Sequence, residues 1–118
     1  MADTVRLRLP AGTAYGRVAR VTTAAIARRH GFTYREVEDL RLAIDEAIIA
    51  LLDDDDPGAA VELRYLVEDE AMTITVQGAS GRPPDAVSRF HTLVTTLVDT
   101  ATLDLDAGLV RLTKTHTA

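Results

Sequence analysis

Residues 33–52, TYREVEDLRLAIDEAIIALL, constrain the fold more than any other stretch, because a helix there is apolar over much of its circumference. Thr33 and Glu36 stand three apart in a capping-box pattern, the hydroxyl for the Glu36 amide and the carboxylate for the Thr33 amide. Val37, Leu40, Ile44, Ile48 and Leu51 then recur at spacings of three and four and fall on one helical face, which must be core. Leu42 and Ile49 point away from that stripe, so the pattern predicts a central helix covered on two sides. Roughly opposite the stripe, Asp39, Ala43, Glu46 and Ala50 line up at spacings of four, three and four, which sets the Glu46 carboxylate on a surface of small groups.

The rest of the chain supplies layers for that helix. Val5, Leu7 and Leu9 alternate with Arg6 and Arg8 up to Pro10 and predict a first strand. A helix over residues 13–30 should end at Gly31, with Tyr15, Val18, Thr22, Ala25 and Ile26 inward and Thr13, Arg17, Arg20, Ala24 and Arg28 outward. The run Asp53, Asp54, Asp55, Asp56, Pro57, Gly58 is a turn by composition. It lacks the alternating ligands and closing Glu of a calcium loop. Val61, Leu63, Tyr65 and Val67, then Met72, Ile74 and Val76, predict a hairpin across residues 68–70, with Thr73 and Thr75 on a wetter reverse face. Asp85 can cap a third helix whose inner stripe is Val87, Phe90, Val94, Leu97 and Val98, with His91 as a packing residue. Residues 101–105 and 109–114 predict a closing hairpin across a glycine-containing turn.

These elements make one domain over residues 1–118. The expected class is an α/β two-layer sandwich: a mixed, mainly antiparallel sheet of about five strands with three helices on one face. A net charge of −5 argues against nucleic acid as a direct ligand, since phosphate binding needs clustered positive charge. The absence of cysteine and of a signal-peptide pattern favours the cytoplasm, and no run is long enough to span a bilayer.

The segment DLRLAIDEAIIALL resembles the helix that opens the nucleotide site of the anti-sigma-factor serine kinases, small members of the GHKL (Bergerat-fold, histidine-kinase-like) ATPases. That family's helix reads Glu-Ala-x-x-Asn, its glutamate helping to activate the attacking group and its asparagine holding magnesium. Glu46 and Ala47 match; Ala50 stands at the asparagine position, and a methyl group cannot ligate magnesium. Gly78, or Gln77 with a one-residue slip, stands where the family's Asp-x-Gly-x-Gly loop reads adenine, and the chain enters its next helix almost at once. The stretch Ala19-Arg20-Val21-Thr22 resembles the family's first helix, where this arginine grips the sigma factor on the surface that also receives the anti-anti-sigma (STAS) protein. Residues 111–114 resemble its last strand.

The resemblance implies an anti-sigma factor acting by partner switching, with Arg20, Arg17, Thr13 and Ala24 as sigma-factor-binding residues, and it suggests a homodimer. With Glu46 vestigial and the nucleotide positions lost at Ala50 and Gly78, the expectation is no bound cofactor or metal and no enzyme activity. The competing expectations are an active serine kinase phosphorylating an anti-anti-sigma protein, and an adaptor of other partnership on the same fold.

Overall fold

The computed structural model describes residues 2–51, 58–78, 85–104 and 106–115, with the side chains of residues 85–88 excepted. The aspartate run at residues 53–56, the loop at 79–84, the inward position of Val87 and the capping role of Asp85 lie outside the described residues.

Five strands form one sheet: β1 (Asp3–Pro10), β2 (Ala60–Val67), β3 (Ala71–Gln77), β4 (Thr100–Asp104) and β5 (Leu109–Thr115), in the order β1-β2-β3-β5-β4. Every neighbouring pair is antiparallel, so the sheet is not mixed as expected. Period-two alternation sets its inner face, burying Val61, Leu63, Tyr65 and Val67 from β2, Met72, Ile74 and Val76 from β3, and Val110 and Leu112 from β5. β1 is an edge strand whose alternation yields burial only at its end: Val5 is exposed, Leu7 half-buried and Leu9 buried.

Three helices supply the second layer: α1 (Gly16–Arg29) after a short 3-10 turn (Thr13–Tyr15), α2 (Tyr34–Leu51) and α3 (Asp85–Val94). Gly31, at φ 83°, ends α1 in the left-handed conformation, with its amide donating to the Arg28 carbonyl and that of Phe32 to the Ala27 carbonyl. This is a Schellman stop, and glycine suits it because it has no Cβ to clash. The capping box forms as predicted: the Thr33 amide donates to Glu36 Oε1 at 2.8 Å, and the Glu36 amide to Thr33 Oγ1 at 3.2 Å. α2 packs between α1 and α3, and its stripe Val37, Leu40, Ile44, Ile48 and Leu51 is buried on the sheet.

Two helical faces differ from expectation. Leu42 and Ile49 are 55% and 44% exposed; the second covered side of α2 is instead the row Asp39, Ala43, Glu46, Ala50, which faces α3 and β5. In α1 the buried residues are Gly16, Ala19, Thr23 and Ala27, while Tyr15 and Val18 are exposed. The helix is thus turned by about one residue, roughly 100°, from the predicted phase. Large apolar residues dominate a periodicity argument, whereas the face of α1 that is buried carries only glycine, alanine and threonine.

Candidate functional site

The rotation of α1 moves the residues of interest. Thr13 and Arg17 are exposed and Ala24 is half-buried, but Arg20 is not on the outer side as predicted. It lies on the seam with α2, where its Nη1 donates to Asp45 Oδ1 at 2.6 Å, both side chains being 35% exposed. Charged partners at this distance make a strong hydrogen bond, although half-exposed ion pairs typically contribute only about 0 to 1 kcal/mol to stability. Sequence alone could not find Asp45, since its link to Arg20 spans 25 residues and depends on the register of two helices.

Around that seam the helical layer presents Val18, Val21, Leu42 and Ile49 to solvent. Further along, Val21, Ala24, Ala25 and Arg28 of α1 face Phe32, Tyr34 and Val37 across an open groove of about 600 Å³. Arg41 closes its rim by donating to Glu38 Oε1 at 2.8 Å. Exposed aliphatic residues among arginines, on a chain of net charge −5, make a surface suited to protein contact.

At the other end of α2, Glu46 is half-buried with Oε2 3.5 Å from Arg89 Nε, and Ala50 is buried one turn later. Gly78 donates its amide to the Gly108 carbonyl at 2.8 Å, and a Cβ there would lie 2.9 Å from Leu51 Cβ. Close packing against the end of α2 therefore accounts for this glycine without a ligand. The Gln77 side-chain amide donates to the Ala107 carbonyl at 2.6 Å and so holds the β4–β5 turn. Among the described residues no group of three His, Cys, Asp or Glu could hold a metal ion. Position 50 offers a methyl group, which cannot ligate magnesium, and position 78 has no side chain.

Two polar contacts inside the fold went unpredicted. Thr23 Oγ1 donates to the Ala19 carbonyl at 2.8 Å and accepts from the buried Tyr65 hydroxyl at 2.7 Å. Burial pushes the Tyr65 phenol up to about 12, an effect that the Thr23 bond partly offsets. Lys114 donates to the Leu97 carbonyl at 2.6 Å and to Asp39 Oδ2 at 3.3 Å. His91 is half-buried, its ring edge-on to Phe90 at 5.7 Å, as expected of a packing residue.

No family model matches the chain. Among curated proteins it is 31% identical over 84 residues to the serine-protein kinase RsbW of Bacillus pumilus, covering 67% of this chain and 52% of that protein. It is 36% identical over 81 residues to the serine-protein kinase RsbW of Listeria monocytogenes, covering 64% and 50%, and 31% identical over 78 residues to that of Bacillus subtilis, covering 64% and 49%. The chain thus spans about half the length of the curated relatives it matches. The crystal structure of the RsbU and RsbW domains of a Mycobacterium tuberculosis protein superposes with a TM-score of 0.69 over 97% of this chain and 32% of that one. At 18% identity this match shows the fold. The expectation that the chain is not an enzyme is corrected by the relatives, which are named serine-protein kinases. By sequence, and with the fold to match, the chain is related to the serine-protein kinases RsbW over about two thirds of its own length.

Proposed function

We propose that this chain is a partner-switching anti-sigma protein, holding a sigma factor through α1 and its seam with α2 and exchanging it for an anti-anti-sigma (STAS) protein. The observation that carries this reading is the half-exposed Arg20 guanidinium among the uncovered side chains of Val18, Val21, Leu42 and Ile49. Arg17, Thr13 and Ala24 extend the contact along α1. The binding step draws on this surface alone, so it proceeds without nucleotide. A homodimer acting in the cytoplasm completes the reading.

Reversing the charge of Arg20 tests it. Arg20→Glu replaces an attractive contact by a like-charge one, which at a desolvated interface costs about 2 to 5 kcal/mol of affinity. In the free protein the change breaks a half-exposed ion pair and sets a carboxylate near Asp45, each effect costing about 1 kcal/mol or less at this exposure. Titration against the purified sigma factors of the host should therefore show binding by the native chain and its loss in Arg20→Glu, with the melting temperature lowered by a few degrees at most. Arg28→Glu should weaken binding far less. Equal weakening by both variants would point to long-range charge and against a contact at Arg20.

A second reading, favoured by the names of the relatives, adds phosphorylation of a serine on the anti-anti-sigma protein. Transfer of labelled γ-phosphate to that protein is its direct assay.

A further inference from the structure

We propose that Asp45 is a positioning residue for partner binding: it aims the Arg20 guanidinium outward from the helix seam so that a carboxylate of the partner meets it edge-on. This rests on the reading above and adds to it a second residue and a chemistry for the partner. The contact is one-sided, Arg20 Nη1 to Asp45 Oδ1 at 2.6 Å. A guanidinium has five N–H donors in a planar fork, so one bond to Asp45 leaves an edge free for a carboxylate.

The surroundings fit such an arrangement. Leu42 and Ile49 stand three residues before and four after Asp45, on the same face of α2, and both are exposed. Val21, next to Arg20 in the chain, is exposed as well. A partner covering these aliphatic groups would exclude water from the ion pair, where charge interactions are strongest. The partner segment that fits presents a carboxylate flanked by apolar side chains.

Asp45 could act in two opposite ways. As a competitor it would occupy Arg20 and repel the incoming carboxylate, so its removal would tighten binding. As a positioner it holds a long side chain that would otherwise have to be ordered on binding. The one-sided geometry favours the second.

The test compares Asp45→Ala with Asp45→Asn, which keeps an oxygen acceptor for Arg20 and removes the charge. With the host sigma factor bound by the native chain, Asp45→Ala should bind about 3- to 10-fold more weakly, the effect of immobilising one flexible side chain on binding. Asp45→Asn should recover most of that loss. In the free protein, the Arg20 side-chain N–H signal seen by NMR should be distinct in the native chain and in Asp45→Asn, and averaged in Asp45→Ala. Unchanged or tighter binding by Asp45→Ala, or an Arg20 signal that ignores the substitution, overturns the proposal. If Arg20→Glu binds like the native chain, or no host sigma factor binds at all, the underlying reading has failed instead.

Discussion

Helices α1 and α2 lie side by side on one sheet and fill the interior in opposite ways. α2 sends in Val37, Leu40, Ile44, Ile48 and Leu51, whereas α1 sends in Gly16, Ala19, Thr23 and Ala27 and keeps Val18 and Val21 in solvent. A buried aliphatic side chain contributes about 1.5 to 3 kcal/mol, and a glycine or alanine far less, so α2 carries most of this layer's hydrophobic stabilisation. α1 serves as a thin, closely seated cover whose bulky side chains remain available outside. Hydrophobic stabilisation is thereby concentrated in one of two neighbouring helices, and the outer valines of the other can change without unpacking it.

The largest effect expected from that division comes from truncating matched aliphatic residues. Ile44→Ala should cost about 2 to 5 kcal/mol by denaturant unfolding, Ile44 being fully buried. Val21→Ala should stay within about 0.5 kcal/mol. Comparable losses would break the contrast between the helices.

Next comes the polar tie through which α1 grips the sheet. Replacing Thr23 by Val leaves the buried Tyr65 hydroxyl without its partner and should cost about 1 to 3 kcal/mol. Tyr65 also sets an alkaline limit. Its folded-state value of about 12 lies above the unfolded value near 10. Between these the unfolded chain gives up a proton that the folded one keeps. The contribution is therefore complete below pH 10 and is lost as pH rises towards 12, by about 2 to 3 kcal/mol. Unfolding measured at pH 9 and pH 11 should show the decline, and Tyr65→Phe should flatten it.

The smallest effect has the opposite sign. Gly16 is helical at φ −57°, and a methyl group there would meet Arg20 Nη1 and Ile48 Cγ2 at 3.9 Å, ordinary contact distances. Gly16→Ala should raise stability by about 0.4 to 1 kcal/mol, mainly by restricting the unfolded chain. A lowered melting temperature would mean that the two helices are seated more tightly than these contacts imply.

The parts of the fold legible in the sequence were those written in short-range patterns. The Thr33–Glu36 box, the Gly31 stop, the α2 stripe and both hairpins depend on residues within a few positions of each other, and each stands where its pattern placed it. The phase of α1 was not legible, because its interior residues are small and one of them is a threonine. Its outward valines gave a stronger periodic signal than the face that actually packs. At the candidate site, Arg20 could be singled out through family resemblance, but its partner Asp45 could not. That pairing belongs to the fit of one helix on another.

Lys114 is the only lysine in the chain, so its ammonium is the one side-chain amine an acylating reagent could find. That group is only 12% exposed and is held between Asp39 of α2 and the carbonyl of Leu97, just beyond α3. Acylation therefore requires the end of β5 to part from the helical layer. Its rate, followed by mass spectrometry of the peptide that carries Lys114, becomes a clock for the opening of that end of the domain, with no background from other lysines.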